Sequence, residues 1–294
     1  RTVLRTFRNN RRRQYKALRK YTSHPFGIEL TVDSLAFQEQ DTVVAACATV
    51  ALWSAFHKCA ELFGTQTPRP ASIPTSANRV VSDKRSIPTK GLIIEQMCSA
   101  IAGQSLYPEM IEVGLDLPLC SMLYAYLRMG LPPVVILQPE KLRGLHAVTF
   151  AGYSMGKRRR IENKSSPNAR KPVPMVGAKI NAFYGHDDQV GPFAKHLVED
   201  STDTKSDILL AFSGTWPKPN KKHFIQMRPV QVIIPIYNKI RVSFPDVQAW
   251  IERLDVLVRE MVPRDVPYEW DLYITTTNEY KKEILRERGI TADF

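Results

Sequence analysis

Cys47, His146 and the adjacent pair Asp187 and Asp188 are residue types that together can run acyl transfer through a thiol. Such chemistry needs a base to take the thiol proton, a group to orient that base, and donors for a developing oxyanion. Cys47 lies in QEQDTVVAACATVALW, residues 38–53, where an apolar helix follows two glutamines and an acid. A helix starting near Ala45 puts the thiol at its N-terminus, where unpaired N–H groups and the helix dipole favour a thiolate. The competing reading is a small core residue, because free cysteine is among the most buried types. Cys59 lies deep in the same helix, Cys98 in mid-helix and Cys120 in an apolar stretch, and none of the four pairs as C-x-x-C. That spacing argues against zinc and a disulfide framework, and for free thiols in a reducing, cytoplasmic setting. No metal or cofactor is required by these residues.

Six histidines compete for the role of base. His57 follows Cys47 on the same helix by ten residues, about 15 Å along its axis, and cannot be the partner. His24, His196 and His223 stand in polar surroundings and read as surface, which leaves His146 and His186. His146 opens the strand-like HAVTFAGY directly after a polar turn, where an imidazole can be held against a helix end. Asp187 and Asp188, in GHDDQVGP, are each placed to orient it; in a continuing strand their side chains point to opposite faces, so one reaches His146 and the other is a solvent or turn residue. Gln40 and Gln38 are the oxyanion candidates, since a glutamine amide donates as a backbone N–H does.

The elements that must position these groups follow from periodicity. Residues 42–63 are apolar nearly all round with Gly64 as a stop, and residues 92–103 and 117–130 repeat helical spacing ending in glycine. The period then changes, and 133–138, 146–153, 179–188, 208–212 and 226–237 read as strands. A helix at 247–261, a strand at 268–275 and a helix at 279–286 close the chain. Residues 64–91, rich in proline, serine and threonine, read as a long loop of the kind that covers a binding site. Helices first and an antiparallel sheet afterwards is an α+β order. The expected division is a basic arm at 1–30, a catalytic domain at 31–240 and an extension at 241–294 that either belongs to that domain or opens another.

The order of glutamine and cysteine at a helix start, histidine at a strand start and aspartate at the next strand end resembles the papain-like cysteine peptidases. Within them the chain is similar to the bacteriocin-processing (double-glycine) peptidase-like branch, through QDTVVAACATVALW, HAVTFAGY and DDQVG. It is also similar to uncharacterised bacterial proteins sharing ACATVALW, GLHAVT and HDDQ-x-GPF. The resemblance spans about residues 35–240 and implies a papain-like fold in which the nucleophile helix packs on an antiparallel sheet. It also implies Cys47 as nucleophile, His146 as general base and Asp187, four residues before Gly191, as the orienting acid ahead of Asp188. Gln40, with Gln38 as its rival, would serve the oxyanion. Ala48 follows the cysteine where the family usually has glycine or a similar small residue, and Gln40 stands one residue further from Cys47 than is usual in papain-like enzymes. The implied activity is cleavage of a peptide or isopeptide bond. A catalytically dead papain-like binding module and a transglutaminase-like acyltransferase are the alternatives.

The net charge of +12 is local. Residues 1–20 carry nine bases and no acid, residues 157–171 carry seven bases and one acid, and the remainder sums to about −3. Arg11, Arg12 and Arg13 in the arm and Arg158, Arg159 and Arg160 in the loop are the candidate anion contacts, for nucleic acid or an acidic partner. The longest apolar run falls far short of the roughly 20 residues a membrane span needs. A chain that begins at Arg1 reads as a fragment or a processed product.

Overall fold

The computed structural model describes residues 2–6, 13–39, 47–78, 91–140, 144–157, 160, 172–200, 210–218, 221–240, 242–263 and 265–287. In chain order the elements are β1 (Arg13–Tyr15), β2 (Arg19–Ser23), β3 (Leu30–Ser34), α1 (Cys47–Phe63), α2 (Ser72–Ala77), α3 (Ile94–Ala102), β4 (Leu106–Glu112), α4 (Leu119–Met129), β5 (Val134–Pro139) and β6 (His146–Met155). There follow β7 (Ile180–Asp187), β8 (Gly191–Asp200), β9 (Leu210–Lys218), β10 (Lys221–Tyr237), α5 (Phe244–Met261) and α6 (Thr277–Glu287).

The class is mixed α and β, and the sheet is antiparallel throughout. It runs β6–β5–β10–β9–β8–β7, and β7 pairs back to β6 to close a six-stranded barrel. This corrects the expected arrangement, a helix packed on an antiparallel sheet: α1 packs on the outer wall of a closed barrel. The two faces of β6 show why. Val148 and Phe150 belong to the larger apolar cluster, which the barrel strands share with α4, whereas Ala147 joins the cluster that α1 completes. Inside, Phe150 stacks on Phe183 at 4.9 Å, and Phe212 meets both edge-on at 5.4 and 5.7 Å. Aromatic pairs in these geometries add stabilisation beyond the area they bury.

Several expectations are revised. The described part of the basic arm is built into the fold: β1 extends the sheet on β6, and β2 forms a hairpin-like pair with β3. The close approach of β1 depends on Gly152, where a Cβ would lie 2.5 Å from Gln14 O and 2.9 Å from Tyr15 Cα. The loop expected at 64–91 contains α2, and residues 79–90 lie outside the described part. The strand expected at 268–275 is absent: only a single bridge joins Trp270 to Met175. Side chains anchor that segment instead, with Tyr268 Oη and Trp270 Nε1 donating to buried Asp255 of α5 at 2.9 and 2.8 Å. β4 and β8 carry no matching expectation. β5, β6, β7 and the helices α3, α4, α5 and α6 fall within a few residues of where periodicity puts them, α1 ends where expected, and β9 and β10 run five to six residues beyond the expected bounds.

Candidate active site

Cys47 is the first described residue of α1 and is half-buried. The helix is fixed to the barrel two residues beyond its first turn's midpoint, where Thr149 Oγ1 of β6 donates to Ala51 O at 2.7 Å. His146 begins β6 and Asp187 ends β7, and the β6–β7 register sets Thr149 opposite His186. The start of one strand and the end of the other therefore meet at one rim of the barrel, beside the end of α1 that carries the thiol.

His146 Nε2 lies 2.9 Å from Asp187 Oδ1, and the Cys47 thiol is near enough to the same ring to raise its pKa. With Nε2 on the carboxylate, Nδ1 is the nitrogen left for the thiol. Asp187 is fully buried and takes two further contacts: the Gln189 N–H donates to Oδ1 at 2.9 Å, and His196 Nε2 faces Oδ2 at 3.4 Å. Gln189 belongs to the tight turn after β7, closed by the Val190 N–H on Asp187 O at 3.1 Å, so the local backbone fixes the carboxylate.

Burial disfavours the charged form of both groups, and their mutual contacts overcome it. For His146, desolvation lowers the pKa, but the hydrogen bond to Asp187 and the neighbouring Cys47 sulfur lift it to about 10. For Asp187, desolvation acts upward, while His146 and His196 hold the carboxyl far below the usual carboxylate range. Asp188 behaves oppositely. Burial is the main cause that raises its pKa to about 6, with the Asp187 charge adding to it and His146 opposing. Both its oxygens are buried without a hydrogen-bond partner, and Oδ1 lies 3.8 Å from His146 Nδ1. Asp188 is thus not a solvent residue, and of the two aspartates it is Asp187 that lies within hydrogen-bond reach of His146.

Donor atoms of His146, Asp187 and Asp188 lie within 4.8 Å of one another, a spacing that a metal ion could bridge. The Asp187 oxygens, however, already face three N–H groups and the Nε2 face of the ring is occupied by Asp187 itself. The donor set therefore fits a hydrogen-bonded relay better than a coordination sphere.

His186 has a different task. Its Nδ1 accepts the Phe193 N–H at 3.2 Å, so Nε2 carries the proton and donates to Leu35 O at 2.9 Å. This pins the segment that leads toward Gln38, with Phe37 edge-on to the ring at 5.3 Å. Burial lowers the His186 pKa to about 4, against a small opposing effect of Leu35. A histidine folded neutral contributes stability that is present above its unfolded pKa of about 6.5 and is lost as pH falls through about 4. The difference in unfolding free energy between the wild type and His186→Gln should shrink by roughly 3 kcal/mol across that window. Urea denaturation at the two ends checks it, and a constant difference would contradict it.

Of the remaining sequence candidates, Gln38 is half-buried, whereas Gln40 lies outside the described residues, as do Arg11, Arg12, Arg158 and Arg159. Arg13 stacks its guanidinium 5.7 Å over Tyr184, and Arg160 donates to Asp200 at 3.4 Å, so both are engaged within the fold. His196 corrects the sequence reading: it is 1% exposed, not on the surface. The signal was present in AKHLVE, where Ala194, His196 and Val198 alternate with Lys195 and Glu199 at the strand period. No family model and no curated protein matches the chain.

Proposed function

We propose that the chain is a thiol-dependent hydrolase of papain-like type that cleaves a peptide or isopeptide bond. The observation that carries the reading is the line from the Cys47 thiol through the His146 ring to the buried Asp187 carboxylate. His146 holds at Nδ1 the proton taken from the Cys47 thiol, and the sulfur attacks the substrate carbonyl carbon. The Cys47 backbone N–H and a side-chain amide, Gln40 or Gln38, hold the oxyanion. The His146 proton then passes to the leaving amine as the C–N bond breaks, leaving a thioester on Cys47. Water gives a proton to the ring, its oxygen attacks the thioester, and the carboxylate product leaves as the thiol is restored. Asp187 keeps Nε2–H pointed away from the thiol throughout, as its hydrogen bond at 2.9 Å requires.

Iodoacetamide at neutral pH separates this reading from an inactive binding module. Cys59 and Cys120 have no exposed surface, so the informative comparison is Cys47 with half-buried Cys98, whose sulfur rests 3.2 Å from Met110 Sδ. Faster labelling of Cys47, lost on His146→Ala, is the expected outcome; equal slow labelling of the two favours the inactive module. Transfer to an added amine in place of water would identify the acyltransferase variant.

The partners implied are a protein or peptide substrate and, through the basic arm, nucleic acid or an acidic protein. Arm binding to phosphate should fall steeply as salt rises. A deletion of residues 1–20 is a poor probe of it, because it removes β1 and the start of β2. No helix among the described residues is long and apolar enough to cross a membrane.

A further inference from the structure

His196 is too deep in β8 to meet a substrate, yet its ring belongs to the hydrogen-bonded line of the site. Nε2 lies 3.4 Å from Asp187 Oδ2, the carboxylate oxygen not engaged by His146, and Nδ1 lies 3.2 Å from Ala194 O. Both partners are acceptors, so both contacts become hydrogen bonds only when each ring nitrogen carries a proton. Phe150 lies 5.4 Å from the ring on the barrel's inner side. Packing alone would be served as well by leucine or phenylalanine, because a buried imidazole must be hydrogen-bonded to be tolerated.

Asp187 also has a neighbour that competes for its ring. Asp188 Oδ1 stands 3.8 Å from His146 Nδ1 with no donor of its own. If Asp187 drifts from Nε2, the ring gains freedom to turn toward Asp188 and away from the thiol. Resting on the reading of Cys47 as nucleophile, we infer that His196 is a positioning residue of this site. It keeps the Asp187 carboxylate ionised and turned so that Oδ1 meets His146 Nε2. The line of the site is then Cys47, His146, Asp187, His196, with one acid held between two histidines. The titratable groups that face it are Cys47 from α1, His146 from β6, and Asp187 and Asp188 from the end of β7.

The rate of Cys47 alkylation by iodoacetamide, followed from about pH 4 to about pH 9 on the full chain, tests this without a known substrate. The variants are His196→Phe and His196→Gln, each checked for a cooperative thermal transition. His196→Phe removes the donor and is expected to slow alkylation near neutral pH by about ten- to a hundred-fold, the range seen when groups that orient a functional histidine are lost. Its acid limb should move to higher pH, because Asp187 loses a partner that favours its charge. His196→Gln keeps a donor but not the ring; its plateau rate should stay close to wild type while the acid limb moves part of the way. Superimposable profiles for wild type and a folded His196→Phe overturn the inference, and if that variant does not fold, a wild-type profile in His196→Gln does so. Failure of the underlying reading looks different: wild-type Cys47 then alkylates no faster than Cys98, whatever stands at position 196.

Discussion

Replacing Cys47 with alanine should lower kcat for peptide cleavage at least about a thousandfold while leaving the fold in place. The size follows from the role: without the sulfur no covalent step exists, and only residual binding and oxyanion stabilisation remain. The fold should survive because the side chain is half-buried and small, while α1 keeps its contact from Thr149 to Ala51 O and its apolar face of Ala48, Leu52 and Phe56. Steady-state cleavage of a fluorogenic peptide library, with a thermal melt beside it, is the measurement. Undiminished cleavage by Cys47→Ala would exclude the thiol as nucleophile. Substitution of Cys59 or Cys120, both fully buried, should instead act through packing, with little change in kcat for protein that remains folded.

Asp187→Asn should lose on two fronts. The carboxylate accepts from His146, Gln189 and His196, and an amide has one oxygen to offer where two were used. Its NH2 would face a ring N–H, so His146 is driven to the wrong tautomer, an effect that lowers kcat by about ten-thousandfold in the serine-protease triad. Stability should fall by about 3 kcal/mol, since a buried pair is broken with one partner left in place. Asp188→Asn is the control. Its folded pKa, raised to about 6, means that ionisation of Asp188 opposes folding. The associated stability is present below the unfolded value of about 3.8 and lost as pH rises through about 6. Removing that charge at neutral pH should therefore leave stability unchanged or improved, with a smaller loss of kcat. Denaturant melts and kcat for both variants decide between the two aspartates, and a larger loss for Asp188→Asn would reverse the assignment.

The parts of this site that were legible in the sequence are those whose signals are local. The helix at Cys47 shows as an apolar run, His146 as the first residue of a β-branched and aromatic strand, and Asp187 as the end of the next. What joins them was not legible. Nothing in HAVTFAGY or INAFYGHD distinguishes an open sheet from one whose edges pair, so barrel closure through β6 and β7 appears only in three dimensions. β4 was hidden by an inverted pattern. In LYPEMIE the acid Glu109 points inward to accept the Tyr126 hydroxyl at 2.6 Å, while Met110 faces outward. The arm was hidden by its charge, which obscured buried Tyr15 and the stacking of Arg13 on Tyr184 and Arg19 on Tyr21. His196 was discounted because its neighbours in sequence are polar, although a strand sends neighbours to opposite faces.

In the proposed reading the thiol of α1 and the imidazole at the rim of the barrel are one unit, and their titration tests it. A nuclear magnetic resonance titration of the histidine rings, assigned by His146→Gln, should show the position-146 ring holding its proton through neutrality and releasing it near pH 10. In Cys47→Ala the same ring should release its proton at distinctly lower pH, because the sulfur that helps to hold it is gone. A ring that titrates near the ordinary histidine value of about 6.5 and does not respond to loss of the sulfur would contradict the account.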